Sequence, residues 1–250
     1  MEKEIKNPLK VVVIIPCYNE EANVLKLYTE IKSIIFSKLF HVESIFINDC
    51  STDSTKDILQ ENNIPHIDLP VNLGIGGAVQ TGFKYALRNG FDIAVQMDGD
   101  GQHPPRELDK ILKPFLTKDV DVVIGSRYIT KEGFQSSSLR RFGINYFKKL
   151  NQLLIGVTIN DSTSGYRALN KKTMEIVSEY YPDEYPEPET IVLYALNQLK
   201  IKEVPVTMRE RQGGESSIRA YKTIYYMFKV TLGTIFLYIR LKFNGKRHTI

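Results

Sequence analysis

The chain has 250 residues, long enough for one large domain or two small ones with a buried core. Its composition, 42% hydrophobic, 25% charged and 10% aromatic, is that of a globular protein and excludes wholesale disorder. The net charge of +4 hides a division: residues 1–199 carry 22 basic against 26 acidic side chains, and residues 200–250 carry 11 against 3. An acidic-to-neutral body with a basic tail points to an anionic partner for the tail, either nucleic acid or a membrane surface. The two cysteines, Cys17 and Cys50, cannot build a disulfide framework and suggest a reducing compartment. The polar opening MEKEIKNPLK has no secretory-signal character.

Short apolar runs at residues 11–16, 43–49, 64–70, 91–98 and 120–127 read as strands. Their near-continuous Val and Ile content predicts burial on both faces, as in a parallel sheet. Helix-forming stretches lie between them at 20–38, 54–62, 77–89 and 105–116. Asp53 is placed to cap the second helix, and Pro105 suits the first turn of the fourth. The alternation predicts an α/β fold with right-handed crossovers, whose ligands bind beyond the carboxyl ends of the strands. Polar punctuation falls at those ends: residues 17–20, 48–49, 72–74, 98–100 and 126–127.

After Arg127 the pattern changes. Residues 138–156 read as an amphipathic helix with Leu139, Phe142, Tyr146, Leu150 and Leu153 on one face and Arg140, Arg141, Lys148 and Lys149 interleaved. Residues 161–170 form a loop entering a short strand, residues 181–189 are punctuated by proline, and residues 201–208 read as another strand. Residues 223–239 are apolar but interrupted by Lys229, and are short of the roughly 20 apolar residues a spanning helix needs. On a helical wheel Lys222, Lys229 and Arg240 project within ~20° of one another, opposite Ile224, Met227 and Ile235. This predicts a helix with a basic edge, lying in a membrane interface or docked on the domain. The expected division is a catalytic domain over 1–219 and this basic amphipathic helix over 220–250.

The sharpest chemical signal is Asp98-Gly99-Asp100, two carboxylates at the end of the fourth strand. They can turn toward one hard cation, Mg²⁺ or Mn²⁺, which keeps water and a substrate diphosphate in its other positions. Asp49, ending the second strand, can accept hydrogen bonds from a nucleobase or ribose. Gly74, Gly76, Gly77 and Gly82 supply bare amides that could approach a phosphate, although their GxGG spacing is no dinucleotide fingerprint. The segments VVVIIPCYNEEANV, NDCSTDST, NLGIGGAVQTG, QMDGDGQHPP, GSRY, DSTSGYRALN and VPVTMRERQGGESSI together resemble the inverting family 2 glycosyltransferases. Within that family the chain is most similar to the dolichyl- and polyprenyl-phosphate sugar transferases, over residues ~11–219.

The resemblance implies a glycosyltransferase A fold, a nucleotide-diphosphate sugar donor and a divalent metal. Pro16, Tyr18, Glu20 and Asp49 would then line the nucleotide pocket with Gly76 nearby, and Asp98 and Asp100 would hold the metal with Gln102 close to the donor. Arg127, assisted by Arg141, would meet the acceptor phosphate. Asp161 would lie at the reaction centre, and Arg211 and Ser216 would belong to a loop closing over the diphosphate. The family usually has glycine where this chain has Cys50. A UDP-sugar donor and an undecaprenyl phosphate acceptor on the cytoplasmic face of the membrane are the favoured substrates, serving cell-envelope glycan synthesis. The short C-terminal region predicts attachment through the amphipathic helix, a homo-oligomer or a small membrane-protein partner. A hydroxyl of a growing polysaccharide is the alternative acceptor; it would need a base, for which Asp161, Glu187 or Glu189 are candidates. A nucleotidyltransferase is disfavoured because PCYNEE is acidic and lacks glycine. Nucleic acid is disfavoured because an acidic body and a carboxylate-lined crevice repel phosphates without a metal.

Overall fold

The computed structural model describes residues 7–117, 119–130, 138–210 and 220–243, with side chains omitted at 138–142 and 220–224. Among the described residues seven strands form one sheet: β1 (Leu9–Cys17), β2 (Phe40–Asn48), β3 (His66–Asp68), β4 (Ile93–Gln96), β5 (Val122–Ser126), β6 (Arg167–Asn170) and β7 (Ile201–Pro205). Their order is β3-β2-β1-β4-β6-β5-β7. All pairings are parallel except those of β6, which runs antiparallel to both β4 and β5.

The double-sided burial expected of the strands is visible in β1. Val11, Val13 and Ile15 enter one apolar layer with Val24, Leu27 and Ile31 of α1 (Val24–Ser33), while Val12 and Ile14 enter the other with Val79 and Phe83 of α3 (Gly74–Arg88). A strand coated on both faces has no polar side to alternate with, which is why it reads as a continuous hydrophobic run.

Several helices are shorter than the sequence suggests. Helix α1 covers the middle of the 20–38 stretch, because the Glu20 amide is drawn to Thr55 Oγ1 at 2.8 Å and Ile34 is extended. Helix α2 (Thr55–Glu61) takes Ser54, not Asp53, as its N-cap and has no side-chain capping bond. Asp53, one residue earlier, instead accepts the Thr55 amide at 3.0 Å and the Glu21 amide at 3.1 Å, tying this turn to the β1 end. The 105–116 stretch is α-helical only over α4 (Leu108–Leu112), flanked by 3₁₀ turns, with Pro105 opening the first. Helices α6 (Lys171–Glu179) and α7 (Pro186–Leu196) follow β6. Asn170 caps α6 by accepting the Thr173 amide, and Pro186 begins α7, where its missing N–H costs nothing.

Of the face the sequence suggests for helix α5 (Ser138–Ile155), the side chains of Leu139 and Phe142 lie outside the described residues, Tyr146 and Leu150 are half-buried, and the most buried positions are shifted from it. Ile144, Phe147 and Asn151 are inside, whereas Leu153 is 82% exposed. The Phe147 ring meets Tyr226 of α8 (Ala220–Phe243) edge-on, and Tyr146 Oη lies 3.0 Å from Thr231 Oγ1, so the neighbouring helix selects the face. Helix α8 packs along α7 and also meets α5, and Val230, Thr234 and Leu237 are its buried positions. Among the described residues no helix is long and apolar enough to cross a membrane.

Candidate active site

The carboxyl ends of β1, β2, β4 and β5 converge on one crevice. The β1 and β2 ends are stitched together: the Asp49 amide donates to Cys17 O at 2.9 Å, and Asn19 Oδ1 accepts the Thr52 amide at 2.8 Å. Pro16 is buried beneath the crevice, and Tyr18 stands 47% exposed on its rim. Glu20 is buried and accepts a hydrogen bond from Asn23 Nδ2 at 2.6 Å. Asp49 is buried too; its Oδ1 accepts the Leu73 amide at 2.7 Å, and burial pushes its carboxyl up against the pull of the Leu73 and Gly74 amides.

Cys50 adopts φ 58°, the left-handed conformation that a glycine would take without strain. Gly76 does not line the nucleotide pocket as the resemblance implies. Its amide is taken by Asp183 O at 3.0 Å, and a Cβ there would lie 2.1 Å from Pro182 O. The glycine therefore allows α3 to pack against the turn before α7, and its amide is not free for a phosphate.

Asp98 and Asp100 flank a buried Gly99, where a Cβ would lie 2.9 Å from Pro16 O, so only glycine lets this turn sit against β1. A Cβ at Gly165 would likewise lie 3.0 Å from Asp98 Oδ1. Asp100 Oδ1 accepts the Gln102 amide at 3.0 Å, and Gln102 O accepts the Arg209 amide at 3.0 Å. Oxygen-only donors of this kind fit Mg²⁺ or Mn²⁺. Among the described residues no group of three or more His, Cys, Asp or Glu side chains forms a closed metal cage. Two carboxylates would leave most of a cation's coordination to water and substrate oxygens.

His103 supports this turn, a role the sequence did not reveal. Its Nδ1 accepts the Asp98 amide at 3.0 Å, and its ring stacks on Tyr166 with centroids 4.8 Å apart. Burial lowers its pKa to about 4, so the ring is neutral at pH 7 with its proton on Nε2, the nitrogen facing Asp98. Arg167 is equally hidden. Its guanidinium spans Ser162 O, Ser164 O, Glu187 O and Thr190 Oγ1, tying β6 to the first turn of α7. Burial raises the Glu187 carboxyl, with Arg167 opposing and Asp98 adding to the rise.

Arg127 and Asp161, both singled out by the motifs, meet as a fork-to-fork pair. Nε donates to Oδ2 at 2.8 Å and Nη2 to Oδ1 at 2.7 Å, while the Arg127 amide also reaches Oδ2 at 3.0 Å. Burial alone would lower the Arg127 guanidinium, but the bonds and charge of Asp161 raise it. Asp161 is fully buried. The side chain of Arg141, and all of Arg211 and Ser216, lie outside the described residues.

A mostly parallel sheet with one reversed strand and a carboxylate pair at the end of β4 is the architecture of the glycosyltransferase A fold. The glucosyl-3-phosphoglycerate synthase of Mycobacterium tuberculosis, solved with Mn²⁺, UDP and glucosyl-3-phosphoglycerate, superposes with a TM-score of 0.68 at 18% identity, covering 92% of this chain and 80% of the synthase. The same synthase has also been solved with Mg²⁺ and UDP. The profile of Glycosyl transferase family 2 matches residues 12–176, and the chain belongs to that family. It is therefore a glycosyltransferase. The UDP-N-acetylglucosamine–dolichyl-phosphate N-acetylglucosaminyltransferase of Methanococcus voltae is 28% identical over 89% of this chain and 96% of its own length. The polyprenol monophosphomannose synthase of Mycolicibacterium smegmatis is 29% identical over 88% and 85%.

Proposed function

We propose that the enzyme transfers a hexose or N-acetylhexosamine, with inversion, from a nucleotide-diphosphate sugar, UDP-linked by preference, to a polyprenyl phosphate such as undecaprenyl phosphate. The reaction would take place at the cytoplasmic face of the membrane and feed envelope glycans. The observation that carries this reading is the outer face of α8. Tyr225, Phe228, Leu232, Phe236, Ile239 and Phe243 form an exposed apolar stripe, edged by Lys229 and Arg240. A stripe of this kind suits a helix lying in the lipid interface, where a polyprenyl acceptor resides. Relatives named for dolichyl and polyprenyl phosphates support the same acceptor class. Residues 1–219 would form the catalytic unit and α8 its membrane contact.

On this reading Pro16, Tyr18, Glu20 and Asp49 line the nucleotide side of the crevice. Asp98 and Asp100 would hold Mg²⁺ or Mn²⁺, which when bound neutralises charge on the leaving diphosphate. Arg127 holds the acceptor phosphate, and Asp161 keeps the guanidinium in place. An oxygen of that phosphate, already anionic at neutral pH, attacks the anomeric carbon from the face opposite the diphosphate. The new C–O bond forms as the bond to the diphosphate breaks, so no protein base is required. A hydroxyl acceptor would need one, and Asp161 is bound to Arg127 through both of its oxygens. Glu187, half-buried and near enough to Asp98 for that charge to add to its raised carboxyl pKa, is the group that favours the hydroxyl reading.

Incubating the purified protein with undecaprenyl phosphate, Mn²⁺ and labelled UDP-glucose, UDP-N-acetylglucosamine or GDP-mannose decides between them. Label in the organic phase supports lipid transfer. No organic-phase label with any donor, alongside transfer to a polysaccharide, overturns it.

A further inference from the structure

We propose that Glu203 is a positioning residue for the transfer, acting through Asp161 on Arg127; the inference rests on Arg127 meeting the acceptor phosphate. Glu203 lies on β7, paired with Ile124 of β5, two residues before Pro205 pairs with Ser126 and the strand reaches the crevice. Its carboxylate turns to the segment that precedes β6. Oε1 accepts the Asp161 amide at 2.9 Å, and Oε2 accepts both the amide and Nδ2 of Asn160, at 2.8 and 2.9 Å. Asn160 Oδ1 in turn accepts Lys148 Nζ of α5 at 2.7 Å.

Three tiers result. Glu203 fixes the backbone at Asp161, Asp161 fixes the guanidinium, and Thr163 Oγ1 closes the fork by accepting Arg127 Nη2 at 3.1 Å. Two carboxylates and two cations balance within the cluster, and each carboxylate is bonded to several N–H donors. An arginine on a flexible stem would otherwise lose rotamer freedom each time it bound a phosphate. Here it is pre-ordered before the acceptor arrives. Without Glu203 the amides of Asn160 and Asp161 lose their acceptor, and the segment carrying Asp161 can shift. A displacement of about 1 Å at a reacting group can cost on the order of 100-fold in rate.

The test compares Glu203→Gln, Arg127→Lys and the double variant of the full chain. It uses undecaprenyl phosphate and whichever sugar nucleotide supports transfer. Glu203→Gln should lower kcat by about 10- to 100-fold while leaving the KM for the donor within about twofold, because the β1–β2 side of the crevice is untouched. In the Arg127→Lys background the same change should cost less than about twofold, since both act through one guanidinium. Wild-type kcat for Glu203→Gln, or a loss that multiplies in full with that of Arg127→Lys, overturns the proposal. If the Gln variant fails to fold by circular dichroism, Glu203→Asp, which keeps the charge on a shorter arm, must show the same non-additive loss. Wild-type activity in Arg127→Lys and Arg127→Ala sinks the acceptor-phosphate reading and this inference with it. Impaired Arg127 variants combined with an independent Glu203 effect sink the inference alone.

Discussion

Cys50 holds the backbone at φ 58° beside the carboxylate of Asp49, in the turn that joins β2 to the rim of the crevice. A side chain in the left-handed region costs about 1 kcal/mol or more, while glycine enters it freely but gives the unfolded chain more entropy to lose. The first effect is the larger at a turn whose neighbours are already pinned, here by Asn48 Oδ1 to the Ser51 amide and by Asp49 to Cys17. Cys50→Gly should therefore stabilise the protein by up to about 1 kcal/mol, read from urea denaturation midpoints. The kcat/KM should stay within about twofold, because the Cys50 thiol is directed at Pro70 O rather than at Asp49. A lower midpoint would show that the cysteine side chain contributes packing that outweighs the backbone strain.

At the scale of elements, the contact between α7 and α8 is made around a carboxylate. Glu189 lies so close to Gly233 that a Cβ there would fall 2.3 Å from its Oε1. Burial raises its pKa to about 7, Lys229 opposes the rise and Asp183 adds to it. An acid whose folded pKa lies above its unfolded value of 4.5 binds its proton more tightly when folded. The stability it lends is thus complete below pH 4.5 and is lost as pH climbs through about 7. Glu189→Gln, which mimics the protonated form, should match the wild type near pH 4.5 and exceed it at pH 8 by about 1–2 kcal/mol, after allowing for the solvent that reaches this group. Equal denaturation midpoints at pH 8 would refute this. This helix pair also marks where the sequence stops being informative. The strands of β1 and β5 were legible because double-sided burial writes itself as a run of Val and Ile, and the acids at strand ends were legible because turns there must be polar. The inward face of α5 was not, since Phe147 is chosen by Tyr226, a partner 79 residues away by number. Glu203 was equally hidden: it reads as a charge in a strand until Asp161, 42 residues earlier, arrives beside it.

At the scale of the whole molecule, the proposed membrane contact would draw on both the split in charge and the outer stripe of α8. A basic, aromatic-rich face is attracted to an anionic bilayer over about 8–10 Å at physiological salt, then held by burying its apolar side chains. Phe228 and Phe236, 65% and 63% exposed, lie two turns apart at the centre of the stripe. Full burial of a phenylalanine contributes roughly 1.5–3 kcal/mol, and partial insertion of two such rings should still supply about 2–3 kcal/mol in total. The Phe228→Ser/Phe236→Ser variant should therefore bind vesicles containing phosphatidylglycerol about 30- to 150-fold more weakly in co-sedimentation. Raising the salt concentration should weaken both proteins in parallel, because Lys229, Arg240 and Lys242 are unchanged. Both rings are largely exposed on the outer face of α8, so transfer to a short-chain polyprenyl phosphate dispersed in detergent should keep its wild-type kcat. Transfer to the same acceptor embedded in vesicles should fall in step with vesicle binding. Undiminished co-sedimentation of the double variant would show that α8 does not meet the bilayer through this face. Loss of activity on the dispersed acceptor as well would assign the two rings to the fold of α8 against α7.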